Sequence, residues 1–457
     1  MNWPPPEIIS RIARFTIGED AVDAGSMIPL THICRYWRDS IVSTPRNWTL
    51  ISGRRVRLAG LSLKRCQAAP LELWLSMRLV DPRLTALITP YIQNTEALFV
   101  HNISTIRELA QVLPDFPRSM PNLQALELAS DPVLAHHVER EFVSAEPLGQ
   151  PTFTLTHLSL SFVPLYPSLQ RLTTLTNLTL RNYMIDLHID TLLDFLEANR
   201  ALEHVDLGFR FTRLPFRDSR HQVGIVNRLR SLSICFGCVA GGNALISRIP
   251  LQKGARLEIR SQDWNAGLSE VLCGISVTHF SNLQSPTSME YRPDDGTIQL
   301  LGPNGSFIFH GNPHFSKLPL FQHTGIKGFR LVRRPLRPRD FQTRTTFPPL
   351  TLQALETLAV EGEVAIPYLL SALFADPSAF PSLKTLVFFD CRLDEACMKT
   401  LTKFVSDRKN TTSARLYRVV VISPGRNLPS VSSIDTLREH VPVVDVRTGK
   451  KLPADLF

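Results

Sequence analysis

The chain has 457 residues, of which 44% are hydrophobic and 20% charged, enough for more than one domain or for one long repeat array. No run approaches the roughly eighteen apolar residues of a membrane helix, and Met1-Asn2-Trp3-Pro4-Pro5-Pro6-Glu7 lacks the basic and apolar stretches of a signal peptide. Together with seven scattered cysteines, this points to the cytoplasm or nucleus and excludes a disulfide framework and a membrane partner.

The first predicted element is a helix. Pro5 and Pro6 suit a first turn, where a missing amide hydrogen costs nothing, and Ile8, Ile9, Ile12 and Phe15 follow at helical spacing. Gly18, Glu19 and Asp20 end or loosen it. A second pattern runs from Ser26 through Ile28, Leu30, Ile33, Cys34, Trp37 and Ile41, and stops near Ser43 because Pro45 disfavours helix at the residue before it. About three short helices result, with Ile12, Ile33 and Trp37 as a candidate core. A module this small needs a partner to hold it.

Three of its segments stand in a fixed order: Pro5-Pro6-Glu7-Ile8-Ile9-x-x-Ile12, then Ile33-Cys34-Arg35-Tyr36-Trp37-Arg38, then Thr44-Pro45-Arg46-Asn47-Trp48. Residues 1–52 thereby resemble the F-box of a large fungal family. The chain departs from that family's pattern at Pro4, where a leucine is usual, and at Asn47, where a leucine usually precedes the tryptophan. The resemblance implies binding of a Skp-type adaptor and, through it, a cullin scaffold that carries a ubiquitin-conjugating enzyme. It carries adaptor-binding roles onto Pro5, Ile8, Ile9, Ile12, Ile33 and Trp37, without saying which of them face the adaptor and which the module's own core.

Residues 53–94 read as a helical connector, with mixed apolar and basic stretches from Arg54 to Leu75 and from Val80 to Ile92. Then a unit recurs: an apolar residue, two others, an apolar residue, one other, an apolar residue. Clear copies begin at Leu123, Leu155, Leu175, Leu202, Leu229, Ile326, Leu355, Leu383 and Leu416; weaker ones are Thr95-Leu98-Val100 and the pair Leu257 and Ile259. Their spacing of typically about 20 to 33 residues brackets the leucine-rich-repeat period. Each unit predicts a short strand with one buried face, and Ile189-Leu192-Leu193-Leu196 and Tyr368-Leu369-Leu370-Leu373 predict outer helices. One such unit cannot bury its apolar face, whereas stacked neighbours can. The predicted fold class is therefore α/β: a small helical F-box-like module followed by an irregular leucine-rich-repeat solenoid with a curved parallel sheet over residues 95–425.

Residues 286–323 break the period. Two β-like runs flank Asn304-Gly305, which predicts a hairpin, either projecting from the solenoid or forming an elaborated repeat. Residues 426–457 read as a tail with a short strand at Val441 to Val446.

No motif for catalysis, a cofactor or a metal stands out. Cys235-Phe236-Gly237-Cys238 is a lone pair where zinc needs four ligands, and Pro313 prevents His310 and His314 from sharing a helix face. His136-His137 reads as a solvated pair. The excess charge of +9 has one cluster, Arg330, Arg333, Arg334, Arg337, Arg339 and Arg344, which reads as a solvated loop, with nucleic-acid binding through it the less expected reading. The expected function is that of a non-enzymatic receptor: a substrate-recognition subunit of an SCF-type ubiquitin ligase, with an unknown target protein on the solenoid. The alternative is a leucine-rich scaffold or regulator without ligase assembly. Outward strand residues are the candidate target contacts: His157, Asn177, Arg181, His204, Asp206, Arg256, Glu258, Arg260, Arg330 and Glu361.

Overall fold

The computed structural model describes residues 4–16, 24–113, 119–131, 155–163, 172–183, 189–209, 228–237, 239–249, 251–262, 286–292, 296–303, 305–310, 325–332, 352–362, 366, 380–391, 393–411, 415–423 and 428–449. Cys238, His136, His137, His314, most of the arginine cluster, the helix expected at 368–373 and the end of the tail lie outside these residues. The chain is mixed α/β and divides into two units, residues 1–228 and 229–457.

The first unit opens with helix α1 (Pro6–Phe15), with Glu7 in its first turn and Arg14 in its last, the arrangement that suits the helix dipole. The pattern from Ser26 to Ser43 is not one helix. Pro29 lies in a 3-10 segment (Ala24–His32), the backbone is extended at Cys34, and helix α2 (Arg35–Ser43) follows and ends where Pro45 requires. A 3-10 turn (Pro45–Trp48) closes the module. Its buried side chains include Ile9, Ala13, Met27, Ile41 and Trp48. Two sequence expectations change here. Ile9 belongs to the core, while Ile12, Ile33 and Trp37 do not: Ile12 and Ile33 are exposed and Trp37 is half-buried. The core aromatic is Trp48, whose indole N–H donates to the Ile41 carbonyl at 3.1 Å. The unusual Asn47 is buried as well. Its amide nitrogen donates to the same carbonyl at 3.2 Å and its oxygen accepts from the Ser10 hydroxyl at 2.7 Å, so it ties α1 to α2 as a leucine could not.

Strand β1 (Leu50–Ser52) follows directly and pairs with β2 (Leu71–Ser76); helix α3 (Val56–Cys66) lies between them. The expected helical connector is thus interrupted by a strand. Leu71, Leu73 and Leu75 are buried while Glu72, Trp74 and Ser76 are not, so period-two alternation prevails over the helical reading. Helix α4 (Pro82–Ile88), β3 (Thr95–Ile103), helix α5 (Ile106–Val112), β4 (Ala125–Ser130), β5 (His157–Ser161), β6 (Asn177–Tyr183), helix α6 (Ile189–Ala198) and β7 (His204–Phe209) complete the α-helices and strands described for this unit. From β1 to β7 each strand is parallel to its predecessor in the chain.

The register explains the recurring unit. Leu98, Leu126, Leu158, Leu178 and Val205 are aligned across β3 to β7, as are Val100, Leu128, Leu160, Leu180 and Leu207. All ten are buried, as are the leucines that begin the units at 123, 155, 175 and 202. One carbonyl before each strand receives two amides of the next: Gln124 O accepts from Thr156 and His157, Thr156 O from Thr176 and Asn177, and Thr176 O from Glu203 and His204, all at 2.8–3.0 Å. Both carbonyl lone pairs are used, so each turn fixes the entry of the following strand.

In the second unit the strands are β8 (Ser231–Phe236), β9 (Arg256–Ser261), β10 (Ser288–Arg292), β11 (Thr297–Gly302), β12 (Gly305–His310), β13 (Gly328–Val332), β14 (Thr357–Glu361), β15 (Thr385–Phe389), β16 (Arg418–Ser423) and β17 (Val443–Thr448). Helix α7 (Val239–Ile246) follows β8, helix α8 (Glu395–Thr411) precedes β16 and helix α9 (Val431–Arg438) precedes β17. A Cβ at Gly242 would lie 2.5 Å from the Phe236 ring, so α7 approaches β8 this closely only with glycine there. The predicted hairpin is part of the sheet. β12 pairs parallel with β9, β11 runs antiparallel between β12 and β10, and β10 pairs parallel with β13. Gly302 and Gly305 close the hairpin, with Gly305 at φ +125°, open only to glycine. The expected tail supplies β17, close to its predicted position, and also α9.

Candidate interaction surfaces

Helix α1 has two apolar stripes. Ile9 and Ala13 turn into the module, whereas Ile8 is 46% exposed, Ile12 39% and Phe15 75%. The spacing 8, 12, 15 places these three on one outward face, with Pro5 exposed at its start. Ile28 and Ile33, on the segment leading to α2, are exposed too. Of the six residues carried over from the F-box resemblance, four are exposed (Pro5, Ile8, Ile12, Ile33), one is half-buried (Trp37) and one is core (Ile9).

The outer face of the first unit's sheet is polar. One row across the strands is Ala125, His157, Asn177 and His204; the next is Glu127, Ser159, Thr179 and Asp206; beyond it Arg181 stands beside Ser161. His157, His204 and Arg181 are exposed, while Asn177 and Asp206 are half-buried. Arg181 donates to Asp206 Oδ2 through both Nε, at 3.1 Å, and Nη2, at 2.7 Å. At the other side of this face an aromatic group stands that sequence reading missed. The Trp74 and Phe99 rings stack with centroids 4.0 Å apart, and His101 lies 6.0 Å from Trp74 in a near-parallel plane. Its signal was the outward position of Trp74 within the Leu71–Leu75 alternation, hidden by the helical reading of that segment.

The second unit carries an ionic lattice. Glu258 is only 6% exposed and accepts from Arg256 at 2.7 Å, from Arg260 at 2.6 and 2.8 Å, and lies 3.2 Å from His310 Nε2. Arg292 holds Glu290 at 2.7 Å, and Arg330 bridges Glu290, at 3.1 Å, and Glu361. Five of the expected contacts, Arg256, Glu258, Arg260, Arg330 and Glu361, therefore lie in this unit's lattice, and Glu258 is its buried counter-ion rather than an outward contact. Beyond Glu361 period-two polarity fails. Ala359, Val387, Phe389, Val420 and Ile422 are buried on the outer face of β14 to β16, while Leu358, Leu386 and Val419 are buried on the other. Those strands are apolar on both faces, as the unbroken runs Leu386-Val387-Phe388-Phe389 and Val419-Val420-Val421-Ile422 record.

Thr297 Oγ1 lies 2.9 Å from His310 Nδ1, so Thr297, His310 and Glu258 connect as hydroxyl, imidazole and carboxylate. The hydroxyl belongs to a residue 5% exposed and two arginines hold the carboxylate, so the three side chains tie β9, β11 and β12 together. The Cys391 thiol contacts three backbone carbonyls, and burial pushes it up to about 12. Among the described residues no three His, Cys, Asp or Glu side chains converge as metal ligands, and no helix is long and apolar enough to cross a membrane.

Burial alone would raise the Glu258 carboxyl, but the hydrogen bonds and charges of Arg260 and Arg256 outweigh it and hold the group below its ordinary value. A carboxylate held low adds stability that is whole above its unfolded value and is lost as pH falls through its folded one. In urea titrations across pH, the wild type and Glu258→Gln are expected to differ at neutral pH and to converge as pH falls below the ordinary glutamate range and through the lowered folded value. Parallel pH profiles would show the lattice to be unlinked to folding.

No protein-family model matches the chain, and no curated protein is significantly similar to it.

Proposed function

We propose that the chain is the substrate-recognition subunit of an SCF-type ubiquitin ligase, binding a Skp-type adaptor through its N-terminal module and a target protein through the outer sheet faces of a divergent leucine-rich-repeat solenoid. The observation that carries this reading is the second apolar stripe of α1. The module already has a core in Ile9, Ala13, Met27, Ile41 and Trp48, yet Ile8, Ile12 and Phe15 remain exposed beside it. A helix that merely capped the array would bury its apolar residues, whereas a docking helix leaves one face open. The F-box-like order of Pro5-Pro6-Glu7-Ile8-Ile9, Cys34-Arg35-Tyr36-Trp37-Arg38 and Thr44-Pro45 supports the same partner. The receptor performs no bond chemistry; holding a target near a charged conjugating enzyme raises the effective concentration of its lysines.

Co-expression with a Skp-type adaptor tests this. A stable complex is expected on gel filtration, and Ile8→Asp with Ile12→Asp should weaken capture by at least ~tenfold while leaving circular dichroism unchanged, because both side chains are exposed. A folded wild-type protein that forms no complex would remove the ligase reading.

One observation favours the scaffold alternative. Strand β1, within residues 1–52, is hydrogen-bonded to β2, and the Arg65 guanidinium of α3 lies 4.4 Å over the Trp48 ring. The module is therefore continuous with the first strands of its unit. If the adaptor fails to bind and deletion of residues 1–49 unfolds the strands that follow, the module is a cap.

A further inference from the structure

The aromatic group on β2 and β3 borders a cleft of about 330 Å³ lined by Ser52, Arg54, Trp74, Ser76, His101 and Asn102, among others. Its shape follows from register. Ser52, Trp74 and Phe99 are direct partners across β1, β2 and β3. Trp74 therefore has a large ring on one side, stacked at 4.0 Å, and only a serine on the other. Among the described residues no ring continues the stack on that side. The volume is at the small end of the ~300–1,000 Å³ of sites that enclose a whole small ligand, which suits a single side chain.

The polar lining selects the occupant. Arg54 is exposed and its side chain makes no ion pair among the described residues. The Ser76 hydroxyl accepts from the Asn102 amide at 3.0 Å, and the Trp74 indole N–H is buried with no acceptor among the described residues. Cations prefer bare tryptophan faces, but Arg54 at the rim repels them. What remains is a flat, uncharged group with negative charge beside it.

We infer that this cleft is an anchor site for an aromatic side chain of a partner peptide, with an acidic residue next to it in that peptide. The ring stacks on the free face of Trp74, over Ser52, and the neighbouring carboxylate meets Arg54. Aromatic and arginine side chains at a pocket's centre and rim are the usual carriers of binding energy in protein interfaces. This rests on the outer sheet face being the target surface. It uses neither adaptor nor cullin, so its failure and that of the ligase reading are distinguishable.

Fluorescence polarisation with the full chain tests it. The probes are a labelled peptide with tyrosine between glutamates, the same peptide with alanine for tyrosine or lysines for the glutamates, and a labelled single-stranded oligouridylate. The tyrosine–glutamate peptide should bind, with the alanine and lysine forms at least ~tenfold weaker. Trp74→Ala should abolish the preference for tyrosine. Arg54→Glu, at an exposed position, should keep the fold and reverse the preference between glutamate and lysine peptides, which a merely structural arginine would not do. No binding by the tyrosine–glutamate peptide up to ~1 mM, equal binding by the alanine peptide, or an unchanged charge preference in Arg54→Glu would each overturn the proposal. Tighter binding of the oligouridylate would make this a nucleic-acid site instead.

Discussion

Trp48→Ala is expected to be the most damaging single substitution in the N-terminal module, lowering stability by ~3–5 kcal/mol. The side chain is 1% exposed, the largest among the fully buried ones of the described residues. Its removal opens a cavity and leaves the Ile41 carbonyl with Asn47 as its remaining side-chain donor. It also strips the surface on which Arg65 rests, so the loss should spread to α3 and β1. Urea denaturation followed by far-UV circular dichroism should show an early transition for the module. Adaptor capture should fall with it. Trp37→Ala, at a half-buried position, should cost clearly less. If the two variants lost equal stability, the assignment of the core to Trp48 would be wrong.

The second large effect is expected at Arg408, on α8. This guanidinium is 1% exposed and donates from Nη2 to the carbonyls of Phe380 at 2.6 Å and of Pro381 and Leu383 at 3.4 Å. Desolvation lowers its pKa, yet its hydrogen bonds hold the turn that leads into β15. Arg408→Met keeps much of the volume but withdraws the donor from these carbonyls. The Phe380 carbonyl keeps the Leu383 amide at 3.2 Å, so the loss is that of hydrogen bonds from a charged donor, about 1.5–3 kcal/mol. Hydrogen exchange should then quicken in β15 and β16. A loss below about 1 kcal/mol, within the range of ordinary surface substitutions and mild core changes, would mean that water replaces the guanidinium.

Much of the strand array was legible in the sequence because its signal is short-range and repeated. Every clear apolar unit, from Leu123 to Val421, coincides with a strand, and the weak copies at Thr95 and Leu257 do so as well. Helix α6 and the last strand were legible for the same reason. The errors have physical causes. Leu71-Glu72-Leu73-Trp74-Leu75 alternates perfectly, but it lies among basic residues that also suit a helix, and its strand is defined only by its neighbours β1 and β3. Strand β10 has the composition Ser-Met-Glu-Tyr-Arg, without branched apolar residues, and is held by pairing with β11 and β13. Within α1, spacing alone assigns Ile8, Ile9 and Ile12 to one apolar set; only packing separates the inward Ile9 from the outward pair. Glu258 alternates like its outward neighbours Arg256 and Arg260, which share its face, but only the fold brings His310 against it and buries it.

The strand order in the second unit has a consequence for how that unit folds. In a stacked array, structure can zip from each strand to the next in the chain, because contacts run between sequence neighbours. From β13 to β17 that route is open. It is interrupted at β9, whose partner is β12 rather than β10. The chain must first lay down β10 three places away from β9, return through β11 and only then bring β12 against β9. Pairing of Glu258 with Ile308 brings together residues distant in the chain, and such closure is slow. The three-stranded meander therefore acts as a kinetic gate: growth that starts at β13 to β17 reaches β8 and β9 only after the meander is complete, and growth that starts at β8 and β9 waits at the same place.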